Sequence, residues 1–185
     1  MERSVSDRNI LDKFCEDFCK IIEKHCKYII VSGFVAIASG RTRGTEDIDM
    51  IIEKLDLKKW KNLFEDLKKR GFICMQTNQA EDSFKYLKDK TSIRFTRKDL
   101  ELPEMEIKFS KDLLDEYQIK TREKLHLTKL DVWFSNINMN IAFKEELLKS
   151  PKDLEDSRHL RIVYSEKVNE KEINNIKALI RKWRL

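Results

Sequence analysis

The chain has 185 residues, 41% hydrophobic and 38% charged, with only four Gly and two Pro and a formal net charge of +5. That length suits one well-packed domain of the usual roughly 100–200 residues, and the composition excludes collagen-like, low-complexity and wholly disordered classes. No apolar stretch reaches the roughly 18 residues of a membrane span, and MERSVSDRNI lacks a signal-peptide core, so a cytoplasmic protein with no membrane partner is expected.

The segment from about Ser4 to Cys26 places Ile10, Leu11, Phe14, Cys15, Phe18, Cys19, Ile22 and Cys26 on one stripe and predicts an amphipathic helix. Tyr28 to Val31 reads as a strand buried on both faces, ended by Ser32-Gly33. A short apolar helix over Phe34 to Ser39 follows. The polar loop Gly40-Arg41-Thr42-Arg43-Gly44-Thr45 then leads into a second strand, Asp47 to Ile52. Asp56 is an N-cap for a helix through Trp60, Leu63, Phe64 and Leu67, and Gly71 sits where a left-handed C-terminal cap belongs. Phe72 to Met75, Thr91 to Arg97 and Met105 to Phe109 are strand-like, with a helical segment around Ala80 to Lys88 between the first two. His126 lies in a strand-like Leu-His-Leu context. Helical pattern resumes over Met139 to Lys149, over Lys152 to Tyr164 behind a first-turn Pro151, and over Glu170 to Trp183.

The chemistry concentrates around Asp47 and Asp49. Side chains alternate along a strand, so both carboxylates share a face about 6–7 Å apart, where they repel unless a cation sits between them. Magnesium, a hard ion that takes carboxylate and phosphate oxygens, suits such a pair. Upstream, the Ser32-Gly33 turn offers backbone N–H groups to a phosphate, and Arg41 and Arg43 supply positive charge from the loop. A D-x-D pair alone is common on solvated strands. The order of strand, Ser-Gly turn, short helix, basic Gly-containing loop and D-x-D strand is much rarer.

On these residues, the run VSGFVAIASGRTRGTEDIDMII resembles the signature of the nucleotidyltransferase superfamily with the DNA polymerase beta-like fold. The resemblance extends to small prokaryotic members related to abortive-infection toxins, through FKEELLKSPKDLEDSRHL. It implies an α/β (α+β) fold: a mixed, twisted sheet flanked by helices, with residues 1–137 as core and 138–185 as a C-terminal helical portion packed on it. It further implies Mg²⁺ (or Mn²⁺) held by Asp47, Asp49 and a third carboxylate, Glu106 in MEIKF, and Lys144 with Lys152, Asp153 and Asp156 on the helices closing the nucleotide cleft. Ser32, Gly33, Arg41, Arg43, Lys152 and Asp153 would then bind nucleotide or phosphate, and Asp47, Asp49, Glu106 and Lys144 would be catalytic. Two departures stand out: the turn is Ser-Gly where the superfamily usually has Gly-Gly or Gly-Ser, and Glu106 replaces the usual Asp.

The expected activity is Mg²⁺-dependent transfer of a nucleoside monophosphate from an NTP such as ATP to a hydroxyl on RNA, protein or a small molecule. A toxin-like role with an antitoxin partner is one setting for it. The alternative is a non-catalytic nucleotide- or partner-binding protein with the same fold. Cys15, Cys19 and Cys26 fall in the first helix's apolar stripe and read as reduced packing residues, with Cys74 apart from them. His126 and His159 read as surface or packing residues, and Trp60 and Trp133 as core or rim aromatics. The basic ending Ile180-Arg181-Lys182-Trp183-Arg184 suits the negative pole of a helix C-terminus, with RNA contact as the other reading.

Overall fold

The computed structural model describes residues 5–45 and 47–185. Helix α1 (Val5–Ile22) buries Leu11, Phe14, Cys15, Phe18, Cys19 and Ile22, and the Phe18 ring meets Phe72 and Phe95 at centroid distances of 5.0 and 5.7 Å. The stripe read in the sequence is thus a packing face from Leu11 onward, and its thiols are part of it; Ile10 is exposed, and Cys26, though buried, lies past the end of the helix at Ile22. Residues 1–4 lie outside the described range.

Five strands, β1 (Tyr28–Val31), β2 (Asp47–Ile52), β3 (Phe72–Cys74), β4 (Ile93–Arg97) and β5 (Glu104–Phe109), form one mixed sheet in the order β1-β2-β5-β4-β3. The β2–β5 pair is parallel and the other pairs are antiparallel. Alternation sorts the two central strands: Ile48, Met50, Ile52, Met105 and Ile107 enter the core, and the charged residues between them emerge on the opposite face. In β1, Tyr28, Ile29 and Ile30 are all buried, as expected of a strand covered on both faces. The chain near Phe134 runs along the outer edge of β1: Ile30 donates its N–H to the Trp133 carbonyl at 2.8 Å, and Ser135 donates to the Ile30 carbonyl at 3.0 Å.

On the core side, α3 (Leu57–Lys69) starts where the Asp56 carboxylate accepts the Lys59 N–H at 2.8 Å and buries Trp60, Leu63, Phe64 and Leu67. Gly71 follows it in the left-handed region, φ +85°, where a β-carbon is disfavoured. Helix α2 (Gly33–Ala38) is buried from Phe34 onward, and α4 (Ala80–Lys88) accepts the Trp60 indole N–H on Ser83 at 2.9 Å. Helix α5 (Leu113–Lys120) has no clear signal in the sequence, because its buried residues include Asp115 and Gln118 and so break the apolar period.

The C-terminal helices carry one correction. The segment expected as a single helix over Met139 to Lys149 is α6 (Ile137–Phe143) followed by a π-helical turn, Lys144–Leu148, which ends at Lys149 with φ 57°. Such a turn widens the helix by one residue and re-aims the side chains at its start. Ser150 then accepts the Asp153 N–H at 3.1 Å and Pro151 fills the first turn of α7 (Pro151–Val163), with α8 (Glu170–Arg184) after it. A second correction concerns His126, which lies in a 3₁₀ turn, His126–Thr128, and not in a strand. Among the described residues no helix is long and apolar enough to cross a membrane.

Candidate active site

The parallel register sets Asp49 directly opposite Glu106 and Asp47 opposite Glu104, all on the face away from the core. On the other side of β2, Val31 lies opposite Asp49, which brings the next residue, Ser32, beside that carboxylate, where its hydroxyl donates a hydrogen bond. Ser32 has φ 64° and ψ −141°, a backbone state strongly disfavoured for any residue with a β-carbon. It stands at the first position of the turn, where the superfamily pattern usually has Gly.

Burial raises the pKa of Asp49 above the usual carboxylate value; Glu106 and Asp47 push it further up, and Lys108 and the Ser32 hydroxyl only partly oppose them. Glu106 moves the other way. Burial alone would raise it, but Lys108 at 3.1 Å, the Ser92 hydroxyl and Arg94 at 3.4 Å together hold it below the usual value. The two facing carboxylates are therefore driven apart by their surroundings.

They open onto a cavity of about 230 Å³ between the sheet and the C-terminal helices. Ser32, Asp49, Glu106 and Lys108 form the sheet wall; Asp115 and Gln118 of α5 form one flank; Asn140, Phe143, Lys144 and Leu147 form the helical wall, and Arg184 closes the end. Arg184 is fixed by Asp112, at 2.8 Å from Nε, and by Asp115, at 2.7 Å from Nη2, with its guanidinium 5.5 Å from the Phe143 ring centre. The lining carries Lys90, Lys108, Lys111, Lys144 and Arg184 against Asp49, Glu106 and Asp115, a surplus of two positive charges.

Behind the helical wall lies a buried ionic hub. Asp156, with no exposed side-chain surface, receives Arg41 Nε at 2.5 Å, Arg43 Nη1 at 2.6 Å and Lys144 Nζ at 3.0 Å. Arg41 also reaches Glu155 at 2.6 Å. The Arg43 guanidinium lies over the Ser32-Gly33 turn so closely that a β-carbon on residue 33 would sit 2.8 Å from Nη2. A side chain at residue 33 would make the Arg43 guanidinium shift.

The structure thus gathers Ser32, Asp49, Glu106 and Lys144 on one cavity. Asp47 is exposed, one strand repeat from Asp49 on the same face and outside the cavity lining. Arg41 and Arg43 bond Asp156 and do not line the cavity. Asp153 accepts the Ser150 hydroxyl and lies 3.8 Å from Lys144, while Lys152 is exposed on α7 and does not line the cavity. Lys111, Gln118, Asn140 and Arg184, which do line it, carried no motif in the sequence. Only the basic ending around Arg184 drew notice there, for a different reason. His159 donates from Nε2 to the Ser39 carbonyl, 3.0 Å away, and Trp133 is half-buried with its indole N–H on Glu23 at 2.9 Å.

No group of three His, Cys, Asp or Glu side chains converges closely enough to hold an ion among the described residues. Asp49 and Glu106 are nonetheless adjacent hard oxygen donors, and the upward push on Asp49 from two neighbouring carboxylates is a repulsion that a divalent cation relieves. In donor chemistry the pair fits Mg²⁺ or Mn²⁺. A cation would compete with Lys108 and Arg94 for Glu106.

No family model matches the sequence, and no curated protein matches it. Solved structures do. The chain is similar to an antigenic nucleotidyltransferase-like protein from Paracoccidioides brasiliensis, at 18% identity and a TM-score of 0.57, over 99% of this chain and 91% of that one. It is also similar to the antibiotic-resistance factor ANT(2″)-Ia in solution, at 14% identity and a TM-score of 0.54 over 94% and 92% of the two chains. A crystal structure of ANT(2″)-Ia in complex with adenylyl-2″-tobramycin aligns at 16% identity and a TM-score of 0.51, over 96% and 98%. The likeness runs along nearly the whole length of these proteins, and the chain has the nucleotidyltransferase-like fold.

Proposed function

We propose that the protein is a Mg²⁺-dependent nucleotidyltransferase that moves a nucleoside monophosphate from an NTP to a hydroxyl. The observation that carries this reading is the pairing of Asp49 with Glu106 across β2 and β5 at the mouth of a cavity with surplus positive charge. Asp49 and Glu106, with Asp47 at the rim, would hold the metal; bound Mg²⁺ supplies charge neutralisation on the triphosphate and favours the ionised form of the attacking hydroxyl. Lys108 and Lys111 line the same cavity and would offset charge on the phosphates as pyrophosphate leaves. Lys144 would do so from the helical wall, aimed by Asp156, and Arg184, held by Asp112 and Asp115, closes one end of the cavity. The hydroxyl attacks the α-phosphorus, and the bond to pyrophosphate breaks.

A second reading, a non-catalytic nucleotide- or partner-binding protein, has its own observation. Arg41, Arg43 and Lys144, the cations expected on phosphates, are already matched by Asp156, and Glu106 by Lys108 and Arg94. The acceptor class (RNA, protein or small molecule), a toxin-like role with an antitoxin partner and a cytoplasmic setting belong to the proposal.

The test is Mg²⁺-dependent labelling with each α-³²P NTP, offering total RNA and the protein itself as acceptors, with Asp47→Ala/Asp49→Ala as control. Label transferred by wild type and lost in the control supports the transferase. Nucleotide binding without release of pyrophosphate in the presence of any acceptor supports the second reading.

A further inference from the structure

Two amide side chains in the cavity wall, Gln118 on α5 and Asn140 on α6, are 3% and 4% exposed, and each keeps one hydrogen-bonding position without a protein partner among the described residues. Asn140 Nδ2 donates to the Ser135 carbonyl at 2.7 Å and the Asn136 carbonyl at 3.0 Å. Two carbonyls can be satisfied only by the NH₂ group, so the chemistry of the contacts settles the orientation of the amide. Its Oδ1 then accepts no hydrogen bond among the described residues.

Gln118 is the reverse. Its Oε1 accepts the Ser135 hydroxyl at 2.8 Å, and its Nε2 donates to Asp115 Oδ1 at 3.1 Å, leaving one N–H without a protein acceptor among the described residues. Ser135 orients both amides, one through its carbonyl and the other through its hydroxyl. It is held in place by the bond from its own N–H to β1. Asp115 is fixed in turn by the Lys111 N–H at 3.0 Å and by Arg184.

The cavity therefore presents, from buried and braced side chains, one free acceptor and one free donor. Beside them the wall is apolar, with Phe143 and Leu147 lining the cavity along with Asn140. A flat heterocycle matches this combination, with its ring against Phe143 and Leu147 and its polar edge toward the amides. A phosphate does not, because Asn140 Oδ1 would face another acceptor.

We propose that Asn140 and Gln118 form a base-reading subsite that determines which nucleobase the protein accepts. The assignment rests on the nucleotide reading above. A base that turns an N–H toward Asn140 and an acceptor toward Gln118 satisfies both groups. A base that presents a carbonyl to Asn140 leaves two buried acceptors facing each other and is rejected.

The experiment is equilibrium titration with the four NTPs and with ribose 5-triphosphate, which keeps the sugar and phosphates but has no base. The expected result for wild type is that one NTP binds about tenfold or more tightly than the weakest. Asn140→Ala is expected to bring the four to within about threefold of one another while leaving ribose 5-triphosphate unchanged. Equal binding of all four NTPs by wild type, a comparison that needs no variant, overturns the assignment. So does an Asn140→Ala variant that loses ribose 5-triphosphate as much as the NTPs. Failure of every triphosphate to bind overturns the nucleotide reading itself, whereas binding without base discrimination overturns only this subsite.

Discussion

Lys144 Nζ lies 3.0 Å from Asp156 Oδ2, with 1% of the lysine side chain and none of the aspartate exposed. A buried lysine and a buried carboxylate stabilise only as a matched set, and here Arg41 and Arg43 complete it. The pair links the start of the π-helical turn to α7 and, through the arginines, to the Gly-containing loop.

Removing the shared anion strands three cations in or near the interior. Asp156→Asn is therefore expected to lower unfolding stability by about 3–5 kcal/mol. Urea denaturation of the variant against wild type measures this; a change below about 1 kcal/mol would mean that the cations find other partners.

Ser32 holds a positive φ that its β-carbon disfavours. Ser32→Gly should relieve about 1 kcal/mol or more of backbone strain and raise the melting temperature, although it removes the hydroxyl that donates to Asp49. Without that hydroxyl the Asp49 pKa should rise further. Thermal unfolding and an Asp49 titration by carboxyl NMR read the two effects separately.

The folded-state pKa of Asp49 is raised, so its ionisation opposes folding. Below the unfolded-state carboxylate pKa the group is protonated in both states and has no effect. As pH rises through the unfolded and then the folded value, wild type loses stability. Asp49→Asn should match wild type at acid pH and melt higher at neutral pH. Mg²⁺ should narrow that neutral-pH gap by stabilising wild type, since the repulsion it relieves is absent in the variant.

Glu145 behaves in the opposite sense. Burial works against its ionisation, but Arg161 at 2.7 Å, Lys177 at 2.6 Å and the Ser157 hydroxyl at 2.5 Å bring it down to about 2. Its stabilisation is complete above the ordinary carboxylate range and fades as pH falls toward that value. Since its partners lie on α7 and α8, Glu145→Gln should destabilise the protein at pH 7 and much less near pH 2. Chemical denaturation at the two pH values, alongside wild type, checks this.

What the sequence by itself determined was local. Period-2 alternation placed Asp47, Asp49 and Glu106 on the solvent side of their strands, the Asp56 cap and the first-turn Pro151 set helix starts, and the apolar stripes marked the buried faces. The tertiary structure decided which of these features meet. Asp49 faces Glu106 because β5 inserts parallel to β2, a pairing between segments some 57 residues apart that no local period encodes. Arg41 and Arg43 turn to Asp156 because α7 returns beside the loop and presents a buried carboxylate, a stronger partner than solvent. Gln118 and Asn140 escaped the sequence reading because a buried polar residue has no periodic signature: its role depends on which partners, here Ser135 and Asp115, the fold brings within hydrogen-bonding distance.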